Sequence, residues 1–277
     1  MKMVCAILQA ASMKYREEER VGILDSFRLD GQVALVTGGA GLYGSFIVDA
    51  LAEAGATVYT AGRSLPKYQE QAQRCQNRGF SVCAARYDQS SIESMENLLA
   101  QILAEQGKID ILVNNAVLRS MKAWDDLEGL KASMEANATG IIAMINIFGR
   151  KMIEQKNGNI VNIASMQGMV GPDFTLYKGT DMDVPPDYFF HKAGLINVTR
   201  YYAARFAPFG IRVNAISPGG IQAGQDQLFQ KRYSERTFLG RLAEGEEIKG
   251  AVVFLASKAS SYLSGVNLPV DGGYTAH

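Results

Sequence analysis

The chain of 277 residues is 47% hydrophobic and 20% charged, which is typical of a soluble globular protein long enough to bury a sizeable core. Lys+Arg and Asp+Glu balance at 28 each, which argues against bulk attraction to nucleic acid or to an anionic membrane. Three scattered cysteines without CxxC spacing and two histidines give no support for a metal site, and they fit a cytoplasmic protein.

The first 26 residues differ from the rest. MKMVCAILQAAS has a short apolar part and is followed by MKYREEER rather than by a clean cleavage site. We interpret residues 1–26 as an N-terminal extension, either on the surface or as an arm on a partner subunit. No linker, repeat or low-complexity block follows, so residues 27–277 are predicted to form a single domain.

From residue 33 onward, short apolar runs alternate with longer segments of helical period. The pattern predicts a helix at 45–55 and strands at 33–37, 57–61, 81–87, 109–115, 158–165, 211–217 and 267–270. Such alternation implies right-handed crossovers, and strands that are apolar throughout are typical of a parallel sheet covered on both faces. We therefore expect an α/β fold, a single Rossmann-type doubly wound parallel sheet of about seven strands with helices on both faces. Ligands should bind at the carboxyl ends of its strands.

A glycine-rich turn follows the first predicted strand. TGGAGLYG at 37–44 contains G-x-G-x-x-G at Gly39, Gly41 and Gly44, between a strand and a helix. Glycines allow a tight turn and let backbone N–H groups approach a phosphate, whose charge the helix N-terminus favours. The glycines could instead serve packing alone, but the position at the first strand–helix junction favours dinucleotide binding.

The end of the second predicted strand indicates which dinucleotide would bind. Many NAD-binding sheets place a carboxylate near this point to accept a hydrogen bond from the ribose 2′-hydroxyl. Here that position is Gly62, followed by Arg63, and a guanidinium without a carboxylate suits a 2′-phosphate. We therefore expect NADP(H) to be preferred, with NAD(H) possible, unless Arg63 is an ordinary surface residue.

Two tyrosines compete for an acid–base role. The Pro-Pro pair at 185–186 fits a helix start, which would bring Tyr188 and Lys192 at i and i+4 onto one face. Tyr177 and Lys178 are adjacent, diverge in direction and lie in a predicted loop, so spacing favours the first pair. A neighbouring cation can lower the tyrosine pKa of about 10 by roughly 1–3 units, giving a usable acid or base. Such a pair alone is also common by chance.

Together these motifs resemble the short-chain dehydrogenase/reductase family over nearly the whole chain from about residue 27. The resemblance rests on the glycine turn, NNA at 114–116, Asn137 in EANATG, Ser165 closing IVNIAS, Tyr188 and Lys192, PGG at 218–220 and the tail VDGGYTA. The motifs occur in the family's order and at compatible spacing.

The resemblance implies a role for each matching residue. Tyr188 would exchange a proton with the substrate oxygen, Lys192 would lower the tyrosine pKa and hold the nicotinamide ribose, and Ser165 would polarise the carbonyl. Asn137 would order a water that links Lys192 to solvent. The implied cofactor-binding residues are Gly38, Gly41, Leu42, Tyr43, Gly44, Arg63, Asp88 (capping the adenine), Asn115, Ala116, Tyr188, Lys192, Pro218, Gly219 and Ile221. No metal is expected. In isolation Ser165 could be a strand-end hydroxyl and Asn137 a helix-interior amide.

Three features depart from the family's pattern. Leu42 occupies the position of the penultimate glycine, and Val117 follows NNA where glycine is usual, which would narrow the pocket floor. The interval between Ser165 and Tyr188 is longer than usual by about ten residues. The added segment 172–183, PDFTLYKGTDMD, is rich in donors and acceptors and would suit a polyhydroxy substrate. A surface loop without substrate contact is the equal alternative.

The resulting hypothesis is an enzyme that interconverts a secondary alcohol and a ketone with a nicotinamide cofactor. The polar insertion and the tail resemble sugar or sugar-acid dehydrogenases of the gluconate 5-dehydrogenase kind, with Arg119 as a possible carboxylate partner. A 3-oxoacyl thioester reductase is the alternative, which a hydrophobic cleft near Val117, Met166 and Met169 would favour. A cofactor-sensing regulator without turnover is less favoured because all four catalytic residues are present.

The family also implies a lid and an assembly. Residues 221–240 correspond to its mobile lid over cofactor and substrate. The expected partner is a small-molecule substrate, with no nucleic acid and no membrane. A homo-oligomer, tetramer or dimer, would form through the helices containing Asn137 and Tyr188 and through the C-terminal tail.

Overall fold

The computed structural model describes residues 22–277, which contain one sheet of seven parallel strands. Its spatial order is β3-β2-β1-β4-β5-β6-β7. The strands are β1 Val33–Thr37, β2 Thr57–Gly62, β3 Val82–Arg86, β4 Ile111–Asn114, β5 Gly158–Ile163, β6 Ile211–Pro218 and β7 Asn267–Val270. The predicted α/β class, the strand number and the parallel order are confirmed.

Helices cover both faces of the sheet, as predicted. They are α1 Leu42–Glu53, α2 Leu65–Gln76, α3 Ile92–Gln106, α4 Leu127–Met134, α5 Ile141–Gln155, α6 Pro186–Phe206, α7 Gln227–Arg236 and α8 Glu247–Ala256. Helices α3, α5 and α6 bury one cluster of side chains, including Phe148, against one face. Helices α1, α2 and α8 bury a second cluster, including Leu51, against the other. Both faces are dry, which is why the strands read as continuous apolar runs.

The predicted strand boundaries are right to within two residues. The largest errors, of two residues, lie at the start of β4, predicted at 109 and observed at Ile111, and at the end of β5. In β5 the predicted end was 165, whereas pairing with β6 stops at Ile163. Ala164 and Ser165 remain buried although they lie outside the strand. The predicted helix 45–55 is α1, which begins at Leu42 because the glycine turn is shorter than expected.

The N-terminal prediction falls mostly outside the described residues, which begin at Gly22. A short 3₁₀ turn, Asp25–Phe27, precedes Leu29, which packs in the core. The domain boundary at residue 27 stays a prediction. Within residues 22–277, no helix is long and apolar enough to cross a membrane, and no group of three metal-ligating side chains occurs.

The strand order reverses beside β1, whose two neighbours are β2 and β4. At such a switch point the loops leaving the carboxyl ends diverge in opposite directions and open a crevice. The glycine turn leaves β1 and the NNA segment leaves β4, so both motifs lie at this crevice.

The carboxyl-terminal part of the sheet depends on a partly buried arginine. Arg212 in β6 donates hydrogen bonds of 3.0–3.3 Å to the carbonyl oxygens of Leu255, Ser257, Ser260 and Leu263. These contacts tie the end of α8 and the chain entering β7 to the sheet. Burial lowers the pKa of Arg212, and the carbonyl oxygens compensate for the lost water.

Arg212→Leu should lower the free energy of unfolding by roughly 2–4 kcal/mol, because it removes the guanidinium hydrogen bonds that join the end of α8 and the chain entering β7 to the sheet. Urea unfolding followed by circular dichroism measures this. Arg74→Leu is the matched control, since the Arg74 side chain is 67% exposed. Equal stability of the two variants would contradict the proposed contribution of Arg212.

Candidate active site

The turn between β1 and α1 is too tight for side chains. Gly38 has φ of +65°, and a Cβ there would lie 2.8 Å from Cα of Ala116. A Cβ on Gly44 would overlap the carbonyl oxygen of Gly38 and lie 2.8 Å from Nδ2 of Asn115. The turn therefore presses directly against the chain leaving β4. Its backbone and the N-terminus of α1 form a cradle that fits a phosphate.

Asn115 braces this turn. Its Nδ2 donates to the carbonyl oxygens of Thr37 and Gly38 at 3.0 Å each. The Thr37 hydroxyl in turn accepts from the N–H groups of Asn115 and Ala116 at 3.1 Å each. The ends of β1 and β4 are thus fixed to each other, which sets the width of the crevice.

The end of β2 presents two cations. Arg63 and Lys67 are exposed, and both line the same cleft as the glycine turn. Gly62, where NAD-binding sheets often carry a carboxylate, is buried beneath Tyr68, and a Cβ on it would overlap the Tyr68 ring and hydroxyl. An acidic side chain at this position is therefore sterically excluded while Tyr68 keeps its place.

Asn137 lies in a π-helical turn, Glu135–Gly140, between α4 and α5. Its Nδ2 donates to the carbonyl oxygen of Leu118 at 2.7 Å and to Oγ of Ser133 at 3.0 Å. Its Oδ1 accepts from the Leu118 N–H at 2.8 Å. The side chain thus ties the π turn to the loop after β4. Any water that this residue orders would be bound by its main chain, which the wider turn frees from regular α-helical pairing.

Ser165 lies just past β5 and is buried. Its Oγ accepts from the N–H of Gln167 at 3.2 Å, which caps a short 3₁₀ turn, Met166–Gly168. The hydroxyl hydrogen is not used in this contact, so Ser165 can donate into the cleft that it lines.

Tyr188 and Lys192 occupy successive turns of α6, as their spacing predicted, and Pro186 begins that helix. Nζ of Lys192 lies 5.6 Å from the centre of the Tyr188 ring and donates to the carbonyl oxygen of Ile163 at 2.6 Å. That bond fixes α6 to the end of β5. Tyr177 follows a separate 3₁₀ turn, Phe174–Leu176, and is not on this helix.

Two further basic side chains surround the Tyr188 ring. The Arg119 guanidinium lies 4.6 Å over its centre, a cation–π contact, and the His191 ring meets it edge-on at 5.4 Å. Burial, helped by the Arg119 charge, lowers the pKa of Lys192 to about 7. Burial together with the Lys192 and Arg119 charges lowers the pKa of His191 to about 3. His191 is therefore neutral at physiological pH, Arg119 carries a positive charge, and Lys192 changes its protonation state close to that pH.

The structure brings nearly all predicted site residues to one cleft of about 700 Å³. Its lining includes Gly38, Gly41, Leu42, Tyr43, Gly44, Arg63, Asp88, Asn115, Ala116, Ser165, Tyr188, Lys192, Pro218, Gly219 and Ile221. Asn137 does not line it, because its amide lies behind the cleft wall against Leu118. Val117, predicted to narrow the floor, also lines the cleft.

The insertion and the region predicted as a lid pack on each other above this cleft. Leu176 from the insertion and Phe229 and Tyr233 from α7 are buried in one small cluster with Met166. Arg236 of α7 pairs with Asp173 of the insertion at 2.8 Å. The two segments therefore form one wall of the cleft.

Known proteins resemble this chain in both sequence and overall structure. Residues 43–275 match the family model described as "Enoyl-(Acyl carrier protein) reductase". The chain is 34% identical over 269 residues to a 2-dehydro-3-deoxy-D-gluconate 5-dehydrogenase of Dickeya dadantii, covering 92% of this chain and 99% of that one. It is 32% identical over 259 residues to a 3-oxoacyl-(acyl-carrier-protein) reductase of Aquifex aeolicus, covering 89% and 98%.

A solved structure gives the same picture. A gluconate 5-dehydrogenase of Burkholderia cenocepacia, crystallised with NADP and tartrate, superposes with a TM-score of 0.82 at 31% identity, covering 92% of this chain and all of that one. The chain belongs to the short-chain dehydrogenase/reductase family. It is therefore an oxidoreductase of that family, whose relatives named above are dehydrogenases and reductases.

Sequence reasoning missed several residues at this short-chain dehydrogenase/reductase cleft. Lys67, Tyr68, Gln89, Gln167 and Tyr274 all line it. Lys67 could have been found, because it lies four positions after Arg63 at the start of a helix. Tyr68, Gln89 and Gln167 lie within a few positions of predicted residues, and Tyr274 lies in the VDGGYTA tail, but no spacing pattern marks their side chains as facing the cleft.

Lys192→Met should raise the melting temperature of the cofactor-free protein by a few degrees at pH 6. The folded pKa of Lys192, about 7, lies below its ordinary 10.5, so folding bears the full cost of burying the charge below pH 7. Between pH 7 and 10.5 the unfolded chain binds the extra proton, so wild-type stability rises with pH and the difference shrinks. Melting curves at pH 6 and 9.5 measure this.

Lys131→Met is the matched control for Lys192→Met, because the Lys131 side chain is 72% exposed. Its effect should be small at both pH values. A stabilisation by Lys192→Met that is equal at pH 6 and 9.5 would show that packing, and not charge burial, is responsible.

Proposed function

We propose that this protein interconverts a secondary alcohol and a ketone on a sugar acid, with NADP(H) preferred over NAD(H). The observation that carries the proposal is the shared cleft. It places Tyr188 and Ser165 beside Lys192 at one end and Arg63 with Lys67 at the other, with the glycine cradle between them. Both ends would lie within the predicted single domain of residues 27–277.

Each residue of the catalytic set would do a different task. Tyr188 would give or take the proton at the substrate oxygen, and Ser165 would donate a hydrogen bond to the same oxygen. Lys192 would place its ammonium against the nicotinamide ribose, and Asn137 would hold the π turn beside it. The nicotinamide, when bound, supplies or accepts the hydride.

The preference for NADP(H) is supported by charge and by exclusion. Arg63 and Lys67 offer a guanidinium and an ammonium where a 2′-phosphate would lie. Tyr68 fills the space that a ribose-binding carboxylate at Gly62 would need. The structural relative from Burkholderia cenocepacia contains NADP.

The sugar-acid assignment is supported by polar groups near Tyr188. Arg119 offers a cation to a substrate carboxylate, and Gln167 and Tyr177 offer an amide and a hydroxyl to substrate hydroxyl groups. Relatives named for dehydro-deoxygluconate and gluconate agree with this chemistry.

A 3-oxoacyl thioester reductase is the second candidate. Val117, Met166, Leu176, Met182 and Phe229 give the same cleft an apolar part, and one relative carries that name. Met169, expected beside this part, does not line the cleft.

We also propose a cytoplasmic homo-oligomer, tetramer or dimer. The α6 face that carries Phe190 and Tyr201 is exposed by 66% and 59% at these side chains, which suits a partner subunit. The reducing cytoplasm suits Cys75 and Cys83, which are both free.

Tyr188→Phe should lower kcat by roughly 10²–10⁴-fold, because it removes the proton that the reaction transfers. Nicotinamide absorbance followed with D-gluconate and with a 3-oxoacyl thioester measures this and identifies the substrate class. Tyr262→Phe, at a fully exposed tyrosine, should leave kcat unchanged. Undiminished turnover in Tyr188→Phe would return the catalytic role to Tyr177.

The double variant Arg63→Ala/Lys67→Ala should raise KM for NADPH by roughly 10–100-fold and change KM for NADH little. Each cation would otherwise make a charge-assisted hydrogen bond to the phosphate. Arg74→Ala, which removes an exposed charge from the same helix, is the control. Equal losses with both cofactors would contradict a role in reading the 2′-phosphate.

A further inference from the structure

The insertion at 172–183 offers the cleft far fewer polar groups than its composition suggests. Of the seven polar side chains in this segment, only Asp173, Tyr177 and Asp183 line the cleft. Both Asp173 oxygens already have partners, since Oδ2 pairs with Arg236 at 2.8 Å and Oδ1 accepts from the Thr175 N–H at 2.9 Å. Thr180 donates to the carbonyl oxygen of Tyr177 at 2.8 Å. Asp183 is exposed and, as a carboxylate, can only accept. Tyr177 is thus the hydrogen-bond donor that this segment offers to a ligand in the cleft.

The Tyr177 hydroxyl is oriented by its neighbours. Gln167 donates its Nε2–H to the hydroxyl oxygen at 3.3 Å, which occupies one acceptor site and leaves the O–H free to donate. The ring packs against Phe229 of α7, with centres 5.5 Å apart. Burial raises the pKa of Tyr177, so the group stays a neutral donor at physiological pH.

Helix α7 contacts the backbone on both sides of Tyr177. Arg232 of α7 donates to the carbonyl oxygen of Leu176 at 3.5 Å and also to that of Lys178. One turn further along α7, Arg236 pairs with Asp173. Two arginines of one helix therefore fix the segment that carries Tyr177.

We propose that Tyr177 is a specificity-determining residue that donates a hydrogen bond to a substrate hydroxyl, and that Arg232 and Arg236 are the residues that position it. This inference rests on the proposed function, since it names the part of a hydroxylated acid that the cleft recognises. Arg119 would bind the carboxylate, and Tyr177 would favour carbon chains that carry hydroxyl groups over chains that lack them. A donor left unpaired by a substrate without hydroxyls would disfavour that substrate.

Binding of two acids to the NADPH-loaded protein tests the proposal without turnover, because the reduced cofactor cannot accept a hydride from an alcohol. D-gluconate and hexanoate share a carboxylate and a six-carbon chain, but only gluconate has hydroxyl groups. Tyr177→Phe should raise Kd for gluconate by about 3–10-fold and leave Kd for hexanoate unchanged, as expected for one neutral hydrogen bond. Calorimetry measures both, and Tyr262→Phe is the matched control.

The positioning role has its own test. Arg236→Asp should weaken gluconate binding in the same way as Tyr177→Phe, and the swap Asp173→Arg/Arg236→Asp should restore it. Arg232→Leu should raise KM for a turned-over sugar acid and leave kcat within about twofold. A structural defect alone would lower the folded fraction and would not distinguish gluconate from hexanoate.

The outcomes separate this inference from the proposed function. Unchanged gluconate binding in Tyr177→Phe, equal losses for both acids, or no gluconate binding by the wild type would each overturn the role of Tyr177. The oxidoreductase proposal depends instead on Tyr188→Phe. A loss of kcat in Tyr177→Phe comparable to that in Tyr188→Phe would also overturn the specificity role of Tyr177, because Tyr177 would then act in proton transfer.

Discussion

The hydrogen bond from Nζ of Lys192 to the Ile163 carbonyl oxygen fixes the relative positions of the predicted catalytic side chains in the cleft. Ile163 is the last residue of β5, and Ser165 lies two residues beyond it. Tyr188 lies one helical turn before Lys192 on α6. One contact of 2.6 Å therefore fixes the hydroxyls of two different segments with respect to each other. Burial makes the protonated form of Lys192 unfavourable, and this unfavourable burial occurs where the proposed chemistry takes place.

The electrostatic character of the protein is local. The whole chain has no net charge, yet Arg63, Lys67, Arg119 and Lys192 all reach one cleft. Three carboxylates share this lining, Asp88, Asp173 and Asp183, and Asp173 is paired with Arg236, so the basic side chains outnumber the unpaired acidic ones. A cofactor and a substrate that both carry negative charge would therefore be drawn to one side of the molecule. Such a field cannot be read from composition, because it depends on which charges the fold collects.

The sheet was readable from the sequence because both of its faces are dry. Runs such as VALVT are buried on both faces, so strand position follows directly from apolar composition. The Tyr188–Lys192 pair was readable because helix periodicity converts spacing into direction. The π turn around Asn137 had no such signal. Asn137 contacts Leu118, which lies 19 residues away in sequence, and Ser133, whose spacing of four residues is found in any α-helix.

The insertion shows the limit of composition most clearly. Its polar residues left two equal expectations, a hydrophilic surface toward the substrate and a surface loop without substrate contact, but Leu176 is buried against α7 and Asp173 is used by Arg236. Polar content says which bonds a segment can make, and only the tertiary structure decides whether they go to ligand or to protein.

The contact between Gly62 and Tyr68 also constrains how this protein could change over evolution. A carboxylate at 62 has no room while Tyr68 remains, and removing Tyr68 alone would open a gap without adding a ribose ligand. A route toward an acidic side chain at this position would therefore need the tyrosine to be replaced by a smaller residue before the acid appears. The first step brings no benefit by itself, so the order of substitutions, and not only their identity, would govern whether cofactor choice can drift.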